Sequence, residues 1–129
     1  MPEIIAIGLL KARPGMEDAT RAALATLVVP TQAEEGCILY GLHQGVEDPT
    51  RFAFVERWES QELHDAHVGS PQLAAALARA GELLAEPPDS AVYRALPQGE
   101  ATKGSLAGHA LPGSEAAWPP GWPGSCAPA

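Results

Sequence analysis

The chain has 129 residues, 46% of them hydrophobic and 19% charged, and its 16 acidic against eight basic residues leave a net charge of −8. That length holds one modest core but not two, and the acidic balance argues against a nucleic-acid partner. Cys37 and Cys126 are too few for a disulfide framework and lack the paired spacing of a zinc site, as suits a reducing cytoplasm.

The first run, EIIAIGLLKA, is apolar on both parities and reads as a strand buried on both faces. Glu3 precedes it where a signal peptide would carry basic residues, and no apolar run in the chain reaches the ~20 residues of a membrane span. Pro14-Gly15 breaks the strand, and Met16, Ala19, Ala23 and Leu27 then recur at helical spacing up to Pro30, which should bend or end the helix. Gly36 is a natural terminator beyond it. CILYGLHQ is a second strand with Ile38, Tyr40 and Leu42 on one face and Cys37, Leu39, Gly41 and His43 on the other. After the turn GVEDPT, RFAFVERW sets Phe52, Phe54, Glu56 and Trp58 against Ala53, Val55 and Arg57.

Ser60 is a candidate N-cap for a short helix in which Leu63 and His67 stack at i, i+4, with His64 on the outer side. Ser70-Pro71 restarts a helix in N-cap and N1 order, with Leu73, Ala76, Leu77, Ala80 and Leu84 as its buried stripe. Pro87-Pro88 stops it and SAVYRAL follows as a fourth strand. Composition changes at Pro97: Gly and Pro make up 12 of the 33 residues from there to Ala129, the pattern of a disordered tail. Trp118 and Trp122 in WPPGWPG stand out in it as residues able to dock on a surface. A core domain over 1–96 and a tail over 97–129 are the expected organisation.

The order β-α-β-β-α-β predicts an α+β, ferredoxin-like fold, an antiparallel four-stranded sheet with both helices on one face. The other face would carry Ala53, Val55, Leu39 and one side of the first strand, too apolar to be left in water. A second copy is the simplest cover, so a homodimer is expected.

The stretch EGCILYGLHQGVEDPTRFAFVERWESQELHDAHVGSP, from Glu35 to Pro71, closely resembles the antibiotic biosynthesis monooxygenase family of dimeric α+β barrels, which includes quinol monooxygenases. The matching features are Gly-Cys before the second strand, Tyr and Leu-His within it, Asp-Pro in the turn, Val-Glu-Arg-Trp on the third strand and Asp-Ala-His before Ser-Pro. By element order the likeness extends over residues 3 to about 96. One departure is Gln72, which stands where many relatives continue Ser-Pro with a histidine at the pocket mouth. The first strand also lacks the asparagine of haem-degrading relatives, with Gly8 near its place.

The resemblance implies cofactor-free oxygenation of a phenol, quinol or anthrone by dioxygen, in which the substrate supplies the electrons. The protein then needs only a dry cavity, a base and a stabiliser for the substrate anion. No GxGxxG, P-loop, HExxH or CxxC is present to indicate a nucleotide or a tightly held metal. The catalytic candidates are His67 as base or anion-stabilising donor, Trp58 as a pocket wall with its indole N–H offered to a substrate oxygen, and Tyr40 as an orienting phenol.

The substrate-binding candidates are Glu56, Phe54, Leu63 and His43. A carboxylate among aromatics needs a partner or a raised pKa, and Arg94 is the expected partner of Glu56. His43 alternates away from Tyr40, toward the dimer seam. The His64/His67 pair finds no third metal ligand, and Cys37 reads as small-residue packing. Each of the three candidate catalytic residues also has a bland reading as packing. A cyclase or isomerase on the same scaffold and a non-catalytic dimeric binding protein are the rival functions.

Overall fold

A computed structural model describes residues 2–96, 98–104 and 106, and the chain divides into two units, 1–93 and 94–129. The first holds β1 (Ile4–Lys11), α1 (Glu17–Ala25), α2 (Val28–Gln32), β2 (Cys37–Gln44), β3 (Arg51–Trp58), α3 (Gln61–Val68), α4 (Pro71–Gly81) and β4 (Asp89–Tyr93). The strands form one antiparallel sheet in the order β2-β3-β1-β4, the ferredoxin-like α+β arrangement. In the second unit the described residues contain one short helix, α5 (Ala101–Gly104). Most of the tail expected to be disordered, with Trp118 and Trp122, lies outside the described residues.

Register explains the two faces. β1 pairs with β3 so that Ile4 meets Trp58, Ala6 meets Glu56, Gly8 meets Phe54 and Leu10 meets Phe52. These residues, with Tyr40, Leu24, Leu27, Ala76, Ala80 and Leu84, are buried; all but Gly8 and Glu56 belong to the hydrophobic core. The alternate residues lie on the opposite face. There Ile7, Ala53 and Val55 are only partly buried and Leu9 and Leu39 are exposed, while Arg57 forks onto Glu3 with contacts of 2.8–3.0 Å.

Local chemistry fixes the helix starts. Ser60 Oγ accepts from the Leu63 amide and Ser70 Oγ from the Leu73 amide, each at 3.3 Å, with Pro71 in the first turn of α4. The α4 stripe is as expected through Ala76 and Ala80, buried, and Leu73 and Leu77, half-buried, but the helix ends at Gly81, so the buried Leu84 lies beyond it in a bridge to Ala12.

Four readings need correction. The buried face of the first helical segment is Thr20, Leu24 and Leu27, while Met16 and Ala19 are exposed, because the helix docks one residue out of phase with the apolar count. Pro30 does not end a helix; it sits in the first turn of α2, where an amide would have had no partner. In β2 the pairing slips between Cys37 and Leu39. This bulge puts Cys37 opposite Trp58 and Tyr40 opposite Glu56 on the helix face, so Cys37 does not share a face with Leu39. β4 stops at Tyr93, short of Arg94-Ala95-Leu96.

Gly36 precedes the bulge with φ +85, and a Cβ there would collide with the Leu63 side chain. Gly36→Ala therefore meets both a left-handed backbone and a steric clash, and should lower stability by more than about 1 kcal/mol. A fall in the urea midpoint at unchanged slope is the expected readout.

Candidate active site

The helix face of the sheet and the inner sides of α3 and α4 border a half-open cavity of ≈ 90 Å³, walled by Tyr40, Phe54, Glu56, His64, His67 and Leu77 among others. Gly8 contributes to the wall a position without a side chain. A second pocket, open to solvent and ≈ 510 Å³, lies outside, between the segment before β2 and the α3–α4 junction. His67 lines both.

His67 is 3% exposed. Its ring stacks on Trp58 at 4.9 Å and 30°, and meets the edge of Tyr40 at 5.5 Å and 70°. Nδ1 lies 3.0 Å from Glu34 Oε1, which leaves Nε2 as the nitrogen available to a ligand. Glu34 also accepts from Gln72 Nε2. So Gln72 holds the carboxylate that holds His67. Glu34 was missed by sequence reasoning. It lies 33 residues from its partner in a stretch without periodicity, and nothing short-range marks it.

Tyr40 is buried and packs against Phe54 in a tilted pair at 4.9 Å and 32°. Burial, with Glu56 nearby, pushes its phenol above its ordinary range, so it can donate a hydrogen bond but does not serve as a base. Trp58 is fully buried and is not part of the cavity wall. The expected offer of its indole N–H to a substrate is corrected: Nε1 donates to Glu56 Oε1 at 2.9 Å, and Trp58 acts as the floor beneath His67.

Glu56 finds a partner there, in the indole, and His64 Nε2 stands 3.8 Å from the same oxygen; Arg94, the expected partner, lies past the end of β4 in the second unit. His64 belongs on the inside of α3, contrary to expectation, because residues three apart on a helix share a face and α3 turns both imidazoles to the sheet. Leu63 instead packs toward Gly36 and lines the outer pocket. His43 is exposed on the open face, opposite Ala53 and away from the cavity. Among the described residues no three His, Cys, Asp or Glu side chains gather as a metal-binding group.

Burial raises the Glu56 carboxyl, with Glu34 adding to the effect and the Trp58 hydrogen bond and His67 opposing it. Burial and the neighbouring His67 lower His64. Burial, Glu56 and Glu34 push the Cys37 thiol up to about 11, leaving it a packing group rather than a nucleophile.

A carboxyl with a raised folded pKa contributes stability below its unfolded value and loses it as pH rises through the folded one. His64, with a lowered value, works oppositely, favouring folding most above 6.5. Stability of the wild type relative to Glu56→Gln should therefore decline as pH rises from 4.5, measured by denaturant unfolding at a series of pH values.

A ferredoxin-like sheet with a buried carboxylate–imidazole pair at an apolar cavity is the class these features define. The chain belongs to the antibiotic biosynthesis monooxygenase family, whose model matches residues 3–79. Rv0793 of Mycobacterium tuberculosis, named as a presumptive monooxygenase, is 39% identical over 75 residues, 58% of this chain and 73% of that protein. The structure of Rv0793 superposes with a TM-score of 0.69 at 32% identity, covering 76% of this chain and 99% of that one. PA3566 from Pseudomonas aeruginosa superposes with a TM-score of 0.69 at 26% identity, covering 74% and 96%.

Proposed function

We propose that the protein is a cytoplasmic, cofactor-independent monooxygenase acting on a phenolic or quinol-type aromatic. The observation that carries this reading is His67, anchored through Nδ1 by Glu34 in the wall of a largely apolar cavity. In this scheme Nε2 takes the proton of a substrate hydroxyl. The resulting imidazolium lies on the indole face and against a carboxylate, both of which favour a cation. The phenolate then gives its electrons to dioxygen; one oxygen atom enters the substrate, the other leaves as water, and the substrate supplies all four electrons. The apolar walls keep water from the reacting anion. At ≈ 90 Å³ the cavity lies far below the ~300 Å³ that begins the range for drug-sized ligands, which favours a single ring over a fused tricyclic anthrone.

Oxygen uptake with a panel of hydroquinones and anthrones, in the presence of a metal chelator, tests the reading. Uptake with single-ring hydroquinones is expected; its absence across the panel counts against an oxygenase, and turnover that persists under nitrogen selects a cyclase or isomerase instead.

The apolar open face supports a second copy of the chain as its cover, sheet against sheet. Sedimentation at micromolar concentration should give twice the chain mass, and a stable monomer overturns the dimer.

A further inference from the structure

The scheme above uses His67 and leaves two buried polar side chains of the same wall without a task. Glu56, from β3, is 6% exposed and His64, from α3, is 5% exposed; both line the cavity. His64 Nδ1 is buried with no hydrogen-bond partner among the described residues. Its Nε2 is 3.8 Å from Glu56 Oε1, beyond hydrogen-bond range. Glu56 is engaged on one side by the Trp58 indole, yet a carboxyl group has further capacity to accept or donate. A buried imidazole without a hydrogen bond carries an uncompensated desolvation cost, and such groups call for a partner that the protein alone does not supply.

The two imidazoles on the cavity wall differ in their surroundings. At one, Glu34 orients His67 for proton removal. At the other, the Glu56 carboxyl and the His64 imidazole stand 3.8 Å apart in the same wall, a pair able to accept one hydrogen bond and give another. Such a pair matches a hydroxyl group, which both accepts and donates. The two imidazole rings are 6.2 Å apart, so that one six-membered ring could present an oxygen to each.

We propose that Glu56 and His64 form a second oxygen-binding subsite, with His64 selecting single-ring aromatics that carry two oxygen functions, one ionised at His67 and one held neutral between Glu56 and His64. This rests on the phenol-oxidising reading above. A site built to bond a hydroxyl discriminates strongly against an analogue in which a methyl group takes its place, because its buried polar groups then stay unpaired.

The test is calorimetric titration of the full chain with hydroquinone and with 4-methylphenol under nitrogen, so that binding is read without turnover. The wild type should prefer hydroquinone by on the order of tenfold. In His64→Phe the preference should fall to within about threefold while 4-methylphenol binds undiminished; His64→Met, of different shape, serves if the first variant does not fold. Equal wild-type affinity for the two probes overturns the subsite and leaves a phenol-binding cavity standing. A preference retained in the folded His64 variant removes His64 from it. Binding of neither probe overturns the subsite and the phenol-oxidising reading together.

Discussion

His67→Ala is expected to lower kcat/KM for hydroquinone oxidation by roughly 10²–10⁴-fold, the usual worth of a positioned general base. The loss should fall mainly on kcat, because most of the cavity wall is apolar and ring binding survives removal of one imidazole. Glu34→Gln should cost less, since the amide can still bond Nδ1 but no longer supplies the negative charge that balances the imidazolium. The ordering wild type, E34Q, H67A is thus part of the prediction, read by oxygen consumption on variants whose circular dichroism matches the wild type. A wild-type rate for H67A would move the function to one of the rival readings, with His67 reduced to a packing group.

Trp58→Ala should be the most damaging substitution for stability, at about 3–5 kcal/mol. The indole is fully buried, it stacks on His67 and meets the edge of His64 at 5.9 Å, and its N–H is a hydrogen-bond donor to Glu56. Truncation opens a cavity and also leaves a buried carboxyl without that donor, which costs a further ~1–3 kcal/mol. Trp58→Phe restores most of the volume and only loses the N–H, so it should recover more than half of the deficit in guanidinium unfolding. If both variants lose equal stability, the indole hydrogen bond rather than its bulk holds the site.

Much of this was legible because it is periodic. Alternation along β3 put Phe52, Phe54, Glu56 and Trp58 on one face, and the serine caps of α3 and α4 announced their own positions. Tyr40 and His67 likewise fell on the inner side where the spacing placed them. What was lost is what periodicity does not encode. One extra residue at the β2 bulge moved Cys37 to the other face. The angle at which α3 meets the sheet decided that His64 is inside and Leu63 turns to Gly36. The Glu34–His67 bond joins segments brought together only by the completed fold, and the indole of Trp58 chose Glu56 two residues away over any ligand.

The position of His67 as the partition between an inner hollow and an outer, solvent-open pocket has a kinetic consequence for the proposed chemistry. A proton collected at Nε2 can be matched by release of the one on Nδ1 by way of Glu34, and exchange of the two ring tautomers then returns Nε2 to its basic form. Charge is exported on the outer side of the ring while the substrate stays on the inner one.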